Sequence, residues 1–138
     1  MKKISIYILI IGLIGVFIGY KMYNKPHINV AEKPVDIALT ASILLADFSS
    51  NETSANTKYL DKIIAVKGMV TTVEFDSEKA AISLQTKDDF GSVVCYLTKE
   101  EFKKSTEIKE GQEVVLKGIC TGFLMDVILV KCIIMNSK

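Results

Sequence analysis

Hydrophobic positions change their spacing twice along this chain. Residues 4–20, ISIYILIIGLIGVFIGY, form one apolar run without charge or proline. A run of 17 residues reaches the short end of what spans a hydrocarbon core. Over 39–56 the apolar residues Ile43, Leu44, Phe48 and Ala55 recur at helical spacing, behind Thr40 or Ser42 as a cap, and predict a helix over about 40–56. From Lys58 onward the pattern shifts to β-branched, partly alternating segments. Strands are expected at 62–75, 81–86, 92–97, 113–123 and 126–135, the last two nearly continuous in apolar residues, as in a closed sheet.

Turn chemistry fills the gaps. Residues 74–80 and 87–91 read as turns, and Gly111 tightens the turn before the fourth strand. Thr98 and Glu101 have the spacing of a capping box, opening a short helix with Phe102 as its buried residue. Residues 65–71 (AVKGMVT) and 115–121 (VLKGICT) echo each other around Gly68 and Gly118. A mid-strand glycine lets a strand bend to serve both halves of a small barrel. Three strands, a short helix and two strands match a five-stranded Greek-key barrel, the OB-fold. The expected class is all-β, with helices: the barrel follows a leading helix and a transmembrane helix. The corresponding segments are a transmembrane anchor over 1–22, a linker over 23–38 that carries both prolines, and the barrel with its leading helix over 39–138.

Residues around the apolar run decide how it is read. Lys2 and Lys3 precede it, Lys21 and Lys25 follow it, and Tyr7, Tyr20 and Tyr23 suit the interface. No small-residue cleavage pattern follows, so an uncleaved signal anchor is expected over a cleaved signal. The short positive N-terminal stub favours a cytoplasmic N-terminus and an extracytoplasmic domain, although lysines on both flanks weaken that bias.

Charge divides at the same place. The net charge is +1, but residues 1–30 carry four lysines and no carboxylate, while residues 31–138 carry 13 lysines and 16 carboxylates, a balance of −3. Arginine is absent. Nucleic-acid surfaces are usually basic and rich in guanidinium, so this composition argues against one. The only histidine, His27, lies beside the anchor, which removes histidine-based catalytic dyads and triads within one chain. No phosphate-binding glycine motif is present, and Asp88-Asp89 and Glu100-Glu101 read as solvated surface. No enzyme activity, cofactor or metal is expected. Cys95, Cys120 and Cys132 have no C-x-x-C spacing. They read as small buried hydrophobes, with a disulfide between two of them as the alternative if the domain lies outside.

The stretch from Ser42 to Ile134 also resembles the bacterial tRNA_anti-like family of OB-fold domains. The likeness rests on Asn56-x-x-Tyr59, Val66-x-Gly68-x-Val70, Val94-Cys95-Tyr96, Lys109-x-Gly111, Lys117-Gly118-x-Cys120-x-Gly122 and Asp126-Val127-x-Leu129-x-x-Cys132. These motifs are structural. They imply the fold and carry no catalytic residue with them.

OB-folds bind over their second and third strands and the loops that join strands one to two and four to five. Candidate ligand contacts are therefore Phe75 in the first loop, Ser83 and Gln85 on strand two, Phe90 and Tyr96 near strand three, and Phe123 with Met125 in the last hairpin. Apart from the membrane, held through residues 4–20, the expected partner is a protein, peptide, glycan or small ligand. A single-stranded nucleic-acid binder is the alternative, and a structural subunit of an envelope assembly is a third reading.

Overall fold

The computed structural model describes residues 2–23, 28–87 and 91–137. Helix α1 (Lys2–Tyr23) has a window, Ile6–Tyr23, of mean hydropathy 1.9 with none of it buried. It is long and apolar enough to cross a membrane. After it come β1 (Ile37–Thr40), α2 (Ala41–Ser50), α3 (Glu52–Tyr59), β2 (Ile63–Asp76), β3 (Lys79–Leu84) and β4 (Val93–Leu97). A 3-10 turn, Lys99–Glu101, then leads into the single-turn α4 (Phe102–Ser105), followed by β5 (Glu113–Leu124) and β6 (Asp126–Ser137).

Five strands close into the expected barrel in the order β2-β3-β4-β6-β5, with β5 returning to β2. The β4–β6 pairing is parallel; the other barrel pairings are antiparallel. Closure depends on β2. Its first half, Ile63 to Met69, pairs with β5, and its second half, Val70 to Asp76, pairs with β3. Gly68 sits at this changeover. A Cβ there would lie 3.1 Å from the Leu84 Cβ and 3.2 Å from the Ala41 Cβ, tight enough that a side chain would make its neighbours shift.

Gly118 has a different reason. On β6, Ile133 pairs with Lys117 and Val130 with Ile119, so Lys131 and Cys132 together oppose Gly118. That is a β-bulge, with Lys131 in left-handed backbone at φ 53°. It turns Cys132 inward against the position where a Gly118 side chain would stand. The sequence echo therefore marks two tight places, one at a bend and one opposite a bulge.

The leading helix is split. Asn51 is extended (φ −158°, ψ 92°), ends α2 through its N–H to the Asp47 carbonyl, and starts α3 by accepting from the Ser54 N–H at 3.0 Å. Polar side chains in Ser49-Ser50-Asn51 compete with helical backbone bonding, which favours a break there. Thr40 caps α2 as expected. Its buried face is Ala41, Leu44, Leu45 and Phe48, and Ile43 lies off it, 52% exposed. Tyr59, 1% exposed, donates its hydroxyl to Asp47 at 2.5 Å and faces Phe48 at 5.8 Å. Lys58 reaches the same carboxylate oxygen at 3.0 Å. The Tyr59 hydroxyl, and after it Lys58, hold the Asp47 carboxyl below its usual pKa. This node staples α2 to α3.

Thr98 makes no side-chain cap to the turn that follows it. Glu101, expected to complete that cap, is buried instead, accepting from the Ile134 N–H at 3.0 Å and from Lys104 at 2.7 Å. Phe102 is half-buried and meets Phe75 edge-on at 5.7 Å.

Strand β1 is an addition to the barrel that the sequence pattern does not announce. It pairs in parallel with β2, from Ile37↔Ile64 to Thr40↔Lys67. Part of the expected linker is held to the barrel as well. Val30 is buried with Ile63 and Ile119 on the outside of the sheet. Asp36 accepts from the Ile63 N–H at 2.9 Å and returns its own N–H to the Ile63 carbonyl. Lys117, only 5% exposed, donates its ammonium to the carbonyls of Ala31 and Lys33. Burying that charge is tolerable because two carbonyls replace its water.

Lys117→Ala removes both bonds and the apolar stem. In the full chain held in mild detergent it should lower unfolding stability by about 1–3 kcal/mol and speed cleavage after Glu32 by a glutamyl endopeptidase. Unchanged stability with unchanged cleavage would contradict the clasp.

Candidate binding face

Strand register defines the outer surface of the barrel. Side chains alternate along each strand, so paired residues share a face. Thr72 pairs with Ser83, Ser83 with Val94, and Val94 with Ile128, which makes one row across four strands. Glu74 pairs with Ala81, and Ala81 with Tyr96, which makes the next row. Between these rows, Ile82 and Cys95 are fully buried and belong to the core. The outer rows thus form a mixed platform. Tyr96 is its exposed aromatic, at 46%, while Ala81, Ser83, Val94 and Ile128 are half-buried.

The candidate contacts sort against this platform. Ser83 and Tyr96 lie on it. Gln85, just past the end of β3, is exposed beside Met69 and Lys87, with its N–H bonded to the Met69 carbonyl. Met125 turns the β5–β6 hairpin alone, at φ 69°, and is 78% exposed beside Leu124 at 81%. Phe90 lies outside the described residues, as do Asp88 and Asp89.

Two aromatics sit differently from the expectation. Phe75 is in β2 and not in a loop; the turn is shorter than expected, confined to Ser77 and Glu78. Phe75 pairs with buried Ala80 and meets Phe102 edge-on at the end of the barrel, yet it is 49% exposed, as open as Tyr96. Phe123 stacks on Phe48 at 5.8 Å and 24°, joining the barrel to α2. Leu124 takes the exposed place in the hairpin that the sequence reading gave to Phe123. The sequence signal available for it was the adjacent pair Leu124-Met125, two large apolar residues at a turn.

Hairpin and sheet are joined by Asp126. Its carboxylate accepts from the Ser92 N–H at 2.7 Å and from the Ser92 hydroxyl at 2.9 Å, and the Val127 N–H reaches the Ser92 carbonyl at 3.0 Å. The apolar tip is thereby fixed to the start of β4. Charge near the platform is balanced or acidic. Glu74 stands in the Tyr96 row, and Lys99 is engaged with Glu78 at 3.0 Å.

The three cysteines are free thiols, all buried. Burial pushes the Cys120 thiol up, and burial with the neighbouring Cys95 pushes Cys132 well up. Thiols in this condition are poor nucleophiles and poor metal ligands. Among the described residues no cluster of His, Cys, Asp and Glu has metal-binding geometry.

A family model described as tRNA_anti-like matches residues 1–134, and the chain belongs to that family. No curated protein matches. Among solved structures, the chain is similar to a lipoprotein of Klebsiella pneumoniae subsp. pneumoniae MGH 78578, to which nucleic-acid binding is ascribed by name only. The two share 15% identity at TM-score 0.61, over 72% of this chain and 92% of that one. It is also similar to a Leishmania major Friedlin protein assigned as an aspartyl-tRNA synthetase, at 13% identity and TM-score 0.53, over 89% of this chain and 26% of that one. At these identities the likeness establishes the fold alone.

Proposed function

We propose that this tRNA_anti-like chain is a membrane-tethered, non-enzymatic binding module whose outer β3–β4 face and β5–β6 tip receive a protein or peptide. The observation that carries this reading is the hairpin tip, where Leu124 and Met125 are 81% and 78% exposed. Two large apolar side chains held out by a hairpin that Asp126 fixes to β4 are costly to leave in water and suit a partner's apolar pocket. The adjoining platform adds Tyr96, the residue type that anchors protein interfaces.

Nucleic acid is the second reading, favoured by the exposed ring of Tyr96, on which a base could stack. Charge opposes it. Glu74 stands in the same row, and Lys79, the cation that alternation puts on this face of β3, is opposed by Asp76. Envelope assembly remains the form in which a lasting protein partner would appear.

Leu124→Ser combined with Tyr96→Ala should abolish co-purification of the partner from detergent-extracted membranes and leave unfolding stability within about 0.5 kcal/mol, as surface substitutions do. The wild-type chain should show no saturable binding of single-stranded oligonucleotides at low salt. Tight, salt-sensitive oligonucleotide binding would overturn the protein-partner reading.

The proposed topology puts residues 28–138 on the extracytoplasmic side. A cysteine introduced at exposed Ala46 should react with a membrane-impermeant maleimide in intact cells. Labelling only after lysis would place the domain in the cytoplasm.

A further inference from the structure

A cleft of about 860 Å³ opens where the segment following α1 crosses the barrel. One wall is the backbone and side chains of Ile28 to Ala31; the other is the turn after β4 with Lys131 and Ile133 of β6. Its apolar lining includes Ile28 and Ile133. Its charges divide into engaged and free. Lys99 is held by Glu78 at 3.0 Å, and Glu101 by Lys104 at 2.7 Å and the Ile134 N–H. Lys131 and Glu100 are exposed, and neither side chain has an ion-pair or hydrogen-bond partner among the described residues. They line one cleft without pairing with each other.

Lys131 is placed there by the bulge opposite Gly118, in left-handed backbone at φ 53°. That conformation is unfavourable for a side chain with a Cβ, and bulges of this kind re-aim side chains near binding sites. Distance supplies the second argument. Tyr23 ends the apolar helix and Ile28 lines the cleft. Five Cα steps of 3.80 Å keep them within about 19 Å. The clasp of Lys117 on Ala31 and Lys33 fixes the segment that forms the wall.

We propose that this cleft seats the zwitterionic headgroup of a phospholipid from the membrane that holds α1, with Lys131 on its phosphate and Glu100 on its ammonium. An unpaired cation and an unpaired carboxylate lining one cleft match a ligand bearing both charges. Ile28 and Ile133 suit the start of its acyl chains. The inference rests on the tethered reading of α1, and the test separates the two.

The full chain in nonionic detergent is titrated with dihexanoyl-phosphatidylethanolamine, and amide shifts are followed. Saturable shifts at Thr98–Glu101 and Lys131–Ile133 are expected, with affinity at least fivefold weaker in Lys131→Ala and in Glu100→Ala. Dihexanoyl-phosphatidylglycerol, which has no ammonium, and phosphorylethanolamine, which has no chains, should each bind at least fivefold more weakly. The inference is overturned by no binding, by affinity unchanged in either variant, by equal affinity for the glycerol lipid, or by equal affinity for phosphorylethanolamine, which would mark a soluble ligand. Carbonate extraction of native membranes reads the tether independently: release of the chain refutes the anchor, whereas retention without lipid binding refutes the headgroup site alone.

Discussion

The barrel closes because one strand pairs with two neighbours in succession. β2 gives its first half to β5 and its second half to β3, and the change of partner falls at Gly68, where Leu84 and Ala41 come close. The turn before β5 is locked to the same place, with the Gly111 N–H on the Val70 carbonyl at 2.7 Å and the Val70 N–H on the Gln112 carbonyl at 2.9 Å. Everything outside the barrel follows from that geometry. The residues left facing outward on β3 and β4 become a platform. The β5–β6 hairpin is carried past the sheet, and Asp126 ties its base to Ser92.

On the far side of the barrel the outward residues are not left open. Ile63, Ile119 and Val130 receive Val30, and Lys117 anchors the carbonyls of Ala31 and Lys33. The chain between the apolar helix and the barrel is therefore partly structure and not only a spacer. One outer face is occupied by the protein's own chain; among the described residues the other, with Tyr96 46% exposed, is open. That asymmetry supports the assignment of the β3–β4 face better than its composition alone does.

The five barrel strands and the order of elements were legible in the sequence because apolar periodicity, Gly68, Gly111 and the short helix all point to one topology. Three features were not. β1 is four residues long, and its stability comes from parallel pairing with β2, which no local pattern records. The break at Asn51 turns on side-chain to backbone competition within a polar run. Glu101 has the spacing of a cap yet serves the Ile134 N–H, because that amide is within reach only once β6 is in place. The same limit affected the binding residues. Sequence assigns aromatics to the binding region by position, but whether Phe75 and Phe123 face outward depends on strand register and on Phe102 and Phe48 across the fold. Tyr96, Met125 and Phe75 are all exposed, at 46%, 78% and 49%, while Phe123 is half-buried against Phe48.

The claim that the open face receives a protein is tested most directly by photocrosslinking in native membranes. A photoreactive residue is placed singly at Tyr96, at Met125 or, as a control, at exposed Ala46 on α2. The account predicts one discrete protein adduct, shared by positions 96 and 125 and absent at 46. Nuclease-sensitive adducts at 96 and 125, or adducts equally strong at all three positions, would contradict it.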